Sequence, residues 1–248
     1  NNIIDALEKK IEKYINNQDN ISQIRTKFVA NASHELKTPI FAIKGFIETL
    51  LDGALNDPKV NTEFLKKIYN QTERLENILT DLIDISKIES GDLKLNKNYL
   101  PINDILNFIE NSYKHLAKKK GLKLEIPDTK DLKVYVDKEH IETVFSNIIK
   151  NAINYSDTGK IVVSVKEINN SINIKISDNG IGIKDEVIDK IFQRFFRVDD
   201  DRSRKTGGSG LGLAIVKHIL DAHQIEYSIN SEYNIGTVFS LNIKEYKS

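Results

Sequence analysis

The strongest constraint on this chain is the spacing of apolar residues along its first third. Ile4, Leu7, Ile11, Tyr14, Gln18 and Ile21 recur at alternating intervals of three and four, with mostly polar and charged residues between them. That is the seam by which one helix packs lengthwise against another. Gln18 interrupts the apolar run; a polar seam residue either fixes register or, with a side chain this long, reaches out to water, and the second reading is preferred. Leu36, Ile40, Ile43, Ile47 and Leu50 form a second seam displaced from the first, so a phase shift lies between about Ile21 and Leu36, a point where helix motion can be passed on. Residues 51–58 read LDGALNDP, a loop that places Pro58 early in the next helix. That helix, roughly 59–89, repeats Phe64, Ile68, Gln71, Leu75, Ile78, Leu82 and Ile85 before a stop at Ser90-Gly91. Two long amphipathic helices cannot bury both stripes as an isolated pair, whereas two such hairpins make a four-helix bundle. The expected state is a homodimer.

From about Asn98 the elements become shorter and mixed. The pattern predicts a helix at 102–120, strands at 122–126 and 133–136, a helix at 138–154, strands at 160–167 and 172–177, a helix start near Gly210, and strands at 226–231 and 236–243. This is an α+β sandwich with helices on one face of a sheet, and the hinge between the two parts is expected at 89–100. With 248 residues, 40% of them hydrophobic, and only 4 Pro, the chain is long enough and ordered enough for one large or two ordinary domains. Thirty-six basic residues balance 36 acidic ones, so bulk charge gives no argument for nucleic acid as a partner. The absence of cysteine excludes disulfides, thiol catalysis and cysteine-ligated metal. No apolar run approaches the roughly 20 residues that cross a bilayer. Asn1 follows neither an initiator Met nor a signal-peptide pattern, so the chain reads as a piece of something longer, with a membrane anchor expected upstream of residue 1.

Residues 28–40 read FVANASHELKTPI. On a helix, His34 points about 160° away from Leu36, while Thr38 lies within about 40° of His34, so His34 and Thr38 share the wet face. A lone His on such a face does nothing in most proteins; the neighbours argue otherwise here. Pro39 has no amide hydrogen, so the carbonyl of Glu35 loses its helical partner and the helix is prone to kink. A neutral imidazole attacks through one nitrogen when the other holds the proton and a carboxylate orients it, a task suited to Glu35.

A second constellation lies downstream. Asn147 and Asn151 stand four apart on one helix face, where their amide oxygens can reach a hard cation or phosphates. Asp178 ends an alternating strand and is followed by Gly180 and Gly182 in DNGIGI; a carboxylate there can accept from the amine of adenine while the glycines let the base approach. Residues 207–213, GGSGLGL, open a helix whose unpaired amides and positive dipole end suit a polyphosphate. No Gly-Lys-Ser/Thr ends this run and no parallel strand leads into it, so P-loop and dinucleotide-fold readings are poor.

These motifs resemble those of sensor histidine kinases. HELKTP resembles the H box; Asn147 with Asn151, DNGIGI and GGSGLGLAIV resemble the N, G1 and G2 boxes of the ATP-binding domain shared with gyrase and MutL; IFQRFFRVD at 191–199 resembles the F box; and Gly236-Thr237 resembles a further Gly box. The stretch around His34 and GFIETLLDGAL leans towards sensors of the PhoR type. The resemblance implies an all-α hairpin forming a dimeric four-helix bundle, followed by a Bergerat-type (GHKL) α+β sandwich that binds ATP. Its domains would be a coiled-coil signalling segment over 1–20, a dimerisation and phosphoacceptor domain over 21–92, and a catalytic domain over 98–248. It implies that His34 takes the γ-phosphoryl group of ATP and passes it to an Asp of a response-regulator receiver domain, with Glu35 orienting His34. Glu35 and Thr38 also resemble the pair with which bifunctional members dephosphorylate the regulator. Asn147 and Asn151 would hold Mg2+ and phosphate, Asp178 would read adenine, and Tyr155 would pack beside the pocket. Gly180, Gly182, Gly208, Gly210, Leu211, Gly212 and Thr237 would line it. Arg197 would neutralise the γ-phosphate, and 199–209 would form a lid in which Arg202, Arg204 and Lys205 touch phosphates or simply face water. The chain would be the cytoplasmic portion of a membrane sensor. Two departures stand out: Asn154 replaces a frequent Lys, and His223-Gln224 replaces His-Gly. A gyrase-like ATPase would share the nucleotide motifs but would have no use for HELKTP on a dimer helix.

Overall fold

The computed structural model describes residues 2–89, 94–130, 132–168, 171–198 and 208–244, with the backbone alone described at 2–22, 24, 25 and 89. The chain divides into two compact units, Asn1–Leu82 and Ile83–Ser248. The division falls within a helix, upstream of the hinge expected at 89–100, in which Asn98 to Leu100 belong to a strand.

The first unit is a helical hairpin. Helix α1 spans Asn2–Leu51 and α2 spans Asn61–Glu89. Pro39 lies inside α1, which runs on to Leu51, so the expected disturbance does not end the helix. The chain turns at Gly53, whose φ of 123° a side chain would strain, and passes through a 3-10 turn at Ala54–Asn56. Pro58 sits in the turn that follows, at 58–60, rather than in the first helical turn. The Asp57 carboxylate accepts from Lys59 N at 2.8 Å, and the Asp57 carbonyl accepts from Val60 and Asn61, which delays α2 to Asn61. Leu50 and Ile78 are buried, and Phe46 packs on Phe64 with ring centroids 5.7 Å apart. Ile40, Phe41, Ile47, Leu51, Leu65, Tyr69, Leu79 and Ile83 remain exposed. The side chains of the first seam, Ile4 to Ile21, lie outside the described residues, as does the stop at Ser90-Gly91.

The second unit is a sheet covered by helices. It begins with strand β1 (Asn98–Pro101), which pairs antiparallel with β3 (Lys133–Val136) as a separate two-stranded ribbon. The apolar pattern does not reveal this pairing, because a four-residue strand leading directly into a helix carries no recognisable alternation. The main sheet has the order β2-β4-β5-β7-β6, from β2 (Lys123–Glu125), β4 (Lys160–Ile168), β5 (Ser171–Asp178), β6 (Glu226–Glu232) and β7 (Gly236–Lys244). Only β2 runs parallel to its neighbour. Alternate residues Ile161 and Val163, Ile172, Ile174 and Ile176, and Phe239, Leu241 and Ile243 are buried, as expected when one face is packed. Helices α3 (Ile102–Lys119), α4 (Lys138–Tyr155) and α6 (Gly212–His223) supply the apolar layer, α4 lying between the other two. A single turn, α5, spans Asp185–Ile188.

Helix ends are closed by identifiable bonds. Asp137 caps α4 by accepting from His140 N at 3.1 Å, and its other oxygen accepts from Asn96 N at 2.7 Å. His223 is buried; its Nε2 accepts from Asp137 N at 3.1 Å and its Nδ1 lies 2.8 Å from the Ile219 carbonyl, which requires the Nδ1–H tautomer. Burial holds this imidazole below its ordinary pKa. Gln224, which replaces the usual glycine, ends α6 in the left-handed conformation with φ 59°. A Cβ there costs about 1 kcal/mol. Gln224→Gly should therefore stabilise the protein by up to about 1 kcal/mol, less the extra entropy of glycine in the unfolded chain. Urea unfolding would show this as a higher midpoint at unchanged slope.

Candidate functional site

His34 is exposed on α1. Thr38, one turn on, donates its hydroxyl hydrogen to the His34 carbonyl at 3.1 Å. Glu35, the next residue, meets the second helix: the antiparallel register that sets Phe46 against Phe64 brings Arg74 of α2 to it, with Nη2 3.2 Å from Oε2. The two side chains are only 23% and 10% exposed, so this pair is better shielded from solvent than a surface ion pair. Sequence reasoning missed Arg74. Its only signal is a cation beside the α2 seam residue Leu75, which carries no information until the hairpin register is known.

Asp178 and the DNGIGI glycines lie at the C-terminal end of the central strand β5. Asp178, half-buried at the end of β5, accepts from Gly180 N at 2.8 Å. Burial raises its pKa, and the Gly180 and Thr237 amides work against that rise by bonding the ionised form. The C-terminal end of α4 abuts the loop after β5: Ile181 N donates to the Tyr155 carbonyl at 3.1 Å, and a Cβ on Gly180 would lie 2.7 Å from that oxygen. Tyr155 itself is half-buried. Lys120 donates to the carbonyls of Ile153 and Asn154 at 2.6 and 2.8 Å, so a cation serves this helix end although residue 154 is Asn.

Helix α6 begins at Gly212 with no side-chain cap, leaving its first amides available to an anion. Asn147 donates through Nδ2 to its own helix, at Thr143 O, 3.0 Å. Its Oδ1 is thereby turned to α6, where a Cβ on Gly212 would lie 2.5 Å away. Asn151 is half-buried one turn further along. Leu211 is fully buried and anchors the helix start, while Gly208 and Gly210 precede it. Gly210 accepts from Phe195 N at 2.8 Å, which ties the 191–198 segment to the glycine run. Arg197 is half-buried in that segment. Of the lid expected at 199–209, residues 199–207, with Arg202, Arg204 and Lys205, lie outside the described residues.

Behind Asp178 stands the β6–β7 hairpin. A Cβ on Gly182 would lie 2.0 Å from Glu232 O, and one on Gly236 would lie 2.0 Å from Asp178 O, so the approach leaves no room for a side chain at either place. Asn234 N donates to Ile181 O at 2.7 Å, and Ile183 N donates to Ser231 Oγ at 2.8 Å. Ser231 was not singled out by sequence, although it stands opposite Thr237 across the hairpin. The buried Ser156 hydroxyl, which has no hydrogen-bond partner among the described residues, would lie 3.1 Å from a Cβ on Gly180.

Residues 24–91 match the family model of the His Kinase A (phospho-acceptor) domain, and residues 136–247 match that of the histidine kinase-, DNA gyrase B- and HSP90-like ATPase. The chain belongs to the sensor histidine kinase family. Sensor protein kinase WalK of Staphylococcus aureus is 38% identical over 226 residues, which is 90% of this chain and 54% of that protein. WalK of strain JH9 has the same identity over 37% of its length; the chain thus spans about half, or less, of the curated relatives it matches. Among solved structures, Acinetobacter baumannii histidine kinase AdeS is similar with a TM-score of 0.68 at 28% identity, covering 86% of this chain and 98% of that one. Histidine kinase ThkA, in complex with response regulator protein TrrA, shares the fold with a TM-score of 0.68 at 24% identity, covering 89% of this chain and 61% of that one.

In this kinase fold the raised pKa of Asp178 has a consequence for stability. Between the unfolded carboxyl value near 3.8 and its higher folded value, the native state binds more protons than the unfolded state, so stability from this group falls as pH rises through that window. Asp178→Asn removes the loss. The thermal midpoint of Asp178→Asn relative to wild type should climb as pH is raised from about 4 and level off once Asp178 has ionised; a flat difference would contradict the burial argument.

Proposed function

We propose that this chain is the core of an ATP-dependent protein-histidine kinase in which His34 is the phosphoacceptor. The observation that carries the reading is an exposed His34 followed in the chain by Glu35, whose carboxylate is held by Arg74, in a chain that also has a half-buried Asp178 and an uncapped glycine-led helix starting against Asn147. An imidazole nitrogen of His34 attacks the γ-phosphorus, a P–N bond forms, and the P–O bond to the ADP leaving group breaks. Glu35 orients the ring or takes its proton, and Arg74 fixes that carboxylate. Asp178 accepts from the adenine amine, with the Ser156 hydroxyl as a further polar group at the base. The α6 amides and the glycines at 208, 210 and 212 receive the phosphates, Gly180, Gly182, Tyr155, Leu211 and Thr237 shape the pocket, and Arg197 balances charge near the γ-phosphate.

The donor set fits Mg2+ arriving with the triphosphate. Asn147 and Asn151 offer amide oxygens, hard ligands, and among the described residues no cluster of three acidic, His or Cys groups forms a cage of its own. Bound there, Mg2+ would neutralise phosphate charge as transfer proceeds.

The receiving partner in this proposal is an Asp on a response-regulator receiver domain, by analogy with the regulator-bound ThkA. The active form is a homodimer: the exposed stripes on α1 and α2 are the faces a second hairpin would bury. The working domains are 1–20, 21–92 and 98–248. A membrane-anchored sensor portion before the coiled segment belongs to the same proposal, since the WalK relatives extend well beyond the matched region; no described helix is itself long and apolar enough to cross a membrane. Regulator dephosphorylation is also proposed. The Thr38 hydroxyl hydrogen is committed to the His34 carbonyl, which leaves its oxygen lone pairs to orient a water.

Incubation with γ-labelled ATP and Mg2+ should yield label that is lost in acid and survives alkali. His34→Gln should abolish it while ATP still binds, and label persisting in that variant would remove His34 from the mechanism. Thr38→Ala should keep autophosphorylation and slow loss of phosphate from the receiver by tenfold or more, roughly the contribution of one positioned group; equal rates would dismiss the phosphatase role.

A further inference from the structure

The β6–β7 hairpin does more than close the back of the base pocket. Ser231 and Thr237 face each other across it, and Thr237 is in turn the register partner of Asp178 on β5. Ser231 Oγ takes part in three contacts: Ile183 N donates to it at 2.8 Å, the Gly236 carbonyl lies at 3.0 Å, and Thr237 Oγ1 lies at 2.9 Å. A serine hydroxyl has one hydrogen and two lone pairs. A carbonyl oxygen can only accept, so the Ser231 hydrogen goes to Gly236 O. One lone pair is taken by the Ile183 amide. The other can be satisfied only if Thr237 donates its hydroxyl hydrogen to Ser231. Thr237 is then left with lone pairs alone for anything that approaches from the pocket, and its neighbour Asp178 is likewise an acceptor.

We propose that Ser231 is a positioning residue that fixes the direction of the Thr237 hydroxyl, so that the pocket edge presents acceptors only and selects a purine with an amine, not an oxo group, at its six-position. This rests on the reading of Asp178 and Thr237 as the base-facing edge of an ATP site. An adenine amine donates into two acceptors. The oxygen of a 6-oxo purine meets oxygen on both, and a site built to pair one group rejects the analogue that cannot make the bond. Once Ser231 is removed, the Thr237 hydroxyl is free to rotate and donate to that oxygen.

The test is equilibrium binding of ATP and inosine triphosphate, with Mg2+, to the full chain. Wild type should prefer ATP; Ser231→Ala should narrow the ATP-to-inosine-triphosphate affinity ratio by roughly tenfold, the scale of one hydrogen bond; and Ser231→Thr, which keeps the hydroxyl, should restore it. Adding Ser231→Ala to Thr237→Val should change the ratio no further, because the group that Ser231 directs is already gone. A Ser231→Ala protein that loses affinity for both nucleotides by the same factor, or for neither, overturns the inference and leaves the ATP reading intact. A wild-type protein that binds neither nucleotide overturns both. If Ser231→Ala fails to fold, Thr237→Val decides: a ratio equal to wild type shows that the hydroxyl reads nothing.

Discussion

The catalytic unit depends on one close approach, that of the β6–β7 hairpin to the loop following Asp178. Gly182 and Gly236 meet opposing carbonyl oxygens at distances no Cβ could occupy, and the amides of Asn234 and Ile183 bond across the gap. Together these contacts hold Asp178 half-buried at the end of the central strand β5 with its carboxylate bonded to the Gly180 amide. The raised pKa of that carboxyl is the electrostatic cost of the same burial, offset in part by the amides that face it.

In the helical unit a single interhelical register does comparable work. It sets Phe46 on Phe64 and brings Arg74 to Glu35, so the ring packing and the ion pair next to His34 in the chain have one origin. His34 is left on the outside, where a reactant can reach it. The apolar residues that the hairpin leaves exposed are numerous for two helices, as expected of elements whose burial is completed by another copy.

Much of this was legible beforehand because periodicity reports which face of an element is dry. Strands at 133–136 and 160–168 and the helix at 138–155 fall within a residue or so of the apolar pattern. The sequence reads Gly180 and Gly182 as room for a base, whereas in the structure a Cβ on Gly182 would meet Glu232 O of the chain itself. Pro58 misled slightly, since the Asp57 turn claims the residues that would have begun the helix. The β1–β3 ribbon was invisible because its pairing is long-range and its strands are short. Arg74, Lys120 and Ser231 were overlooked for a shared reason: an Arg, a Lys and a Ser in ordinary surroundings acquire meaning only from the group placed opposite them.

The sequence by itself determined the two-part organisation, the helix faces, and the residue types capable of phosphoryl chemistry, because hydrophobic period and side-chain chemistry are local properties. Only the tertiary structure decided which groups meet: Glu35 with Arg74, Asn147 with the start of α6, and Ser231 with Thr237 beside Asp178. Those pairings join residues far apart in the chain or on facing strands, and their distances are set by helix register and sheet alignment, which emerge only when the apolar faces are buried together.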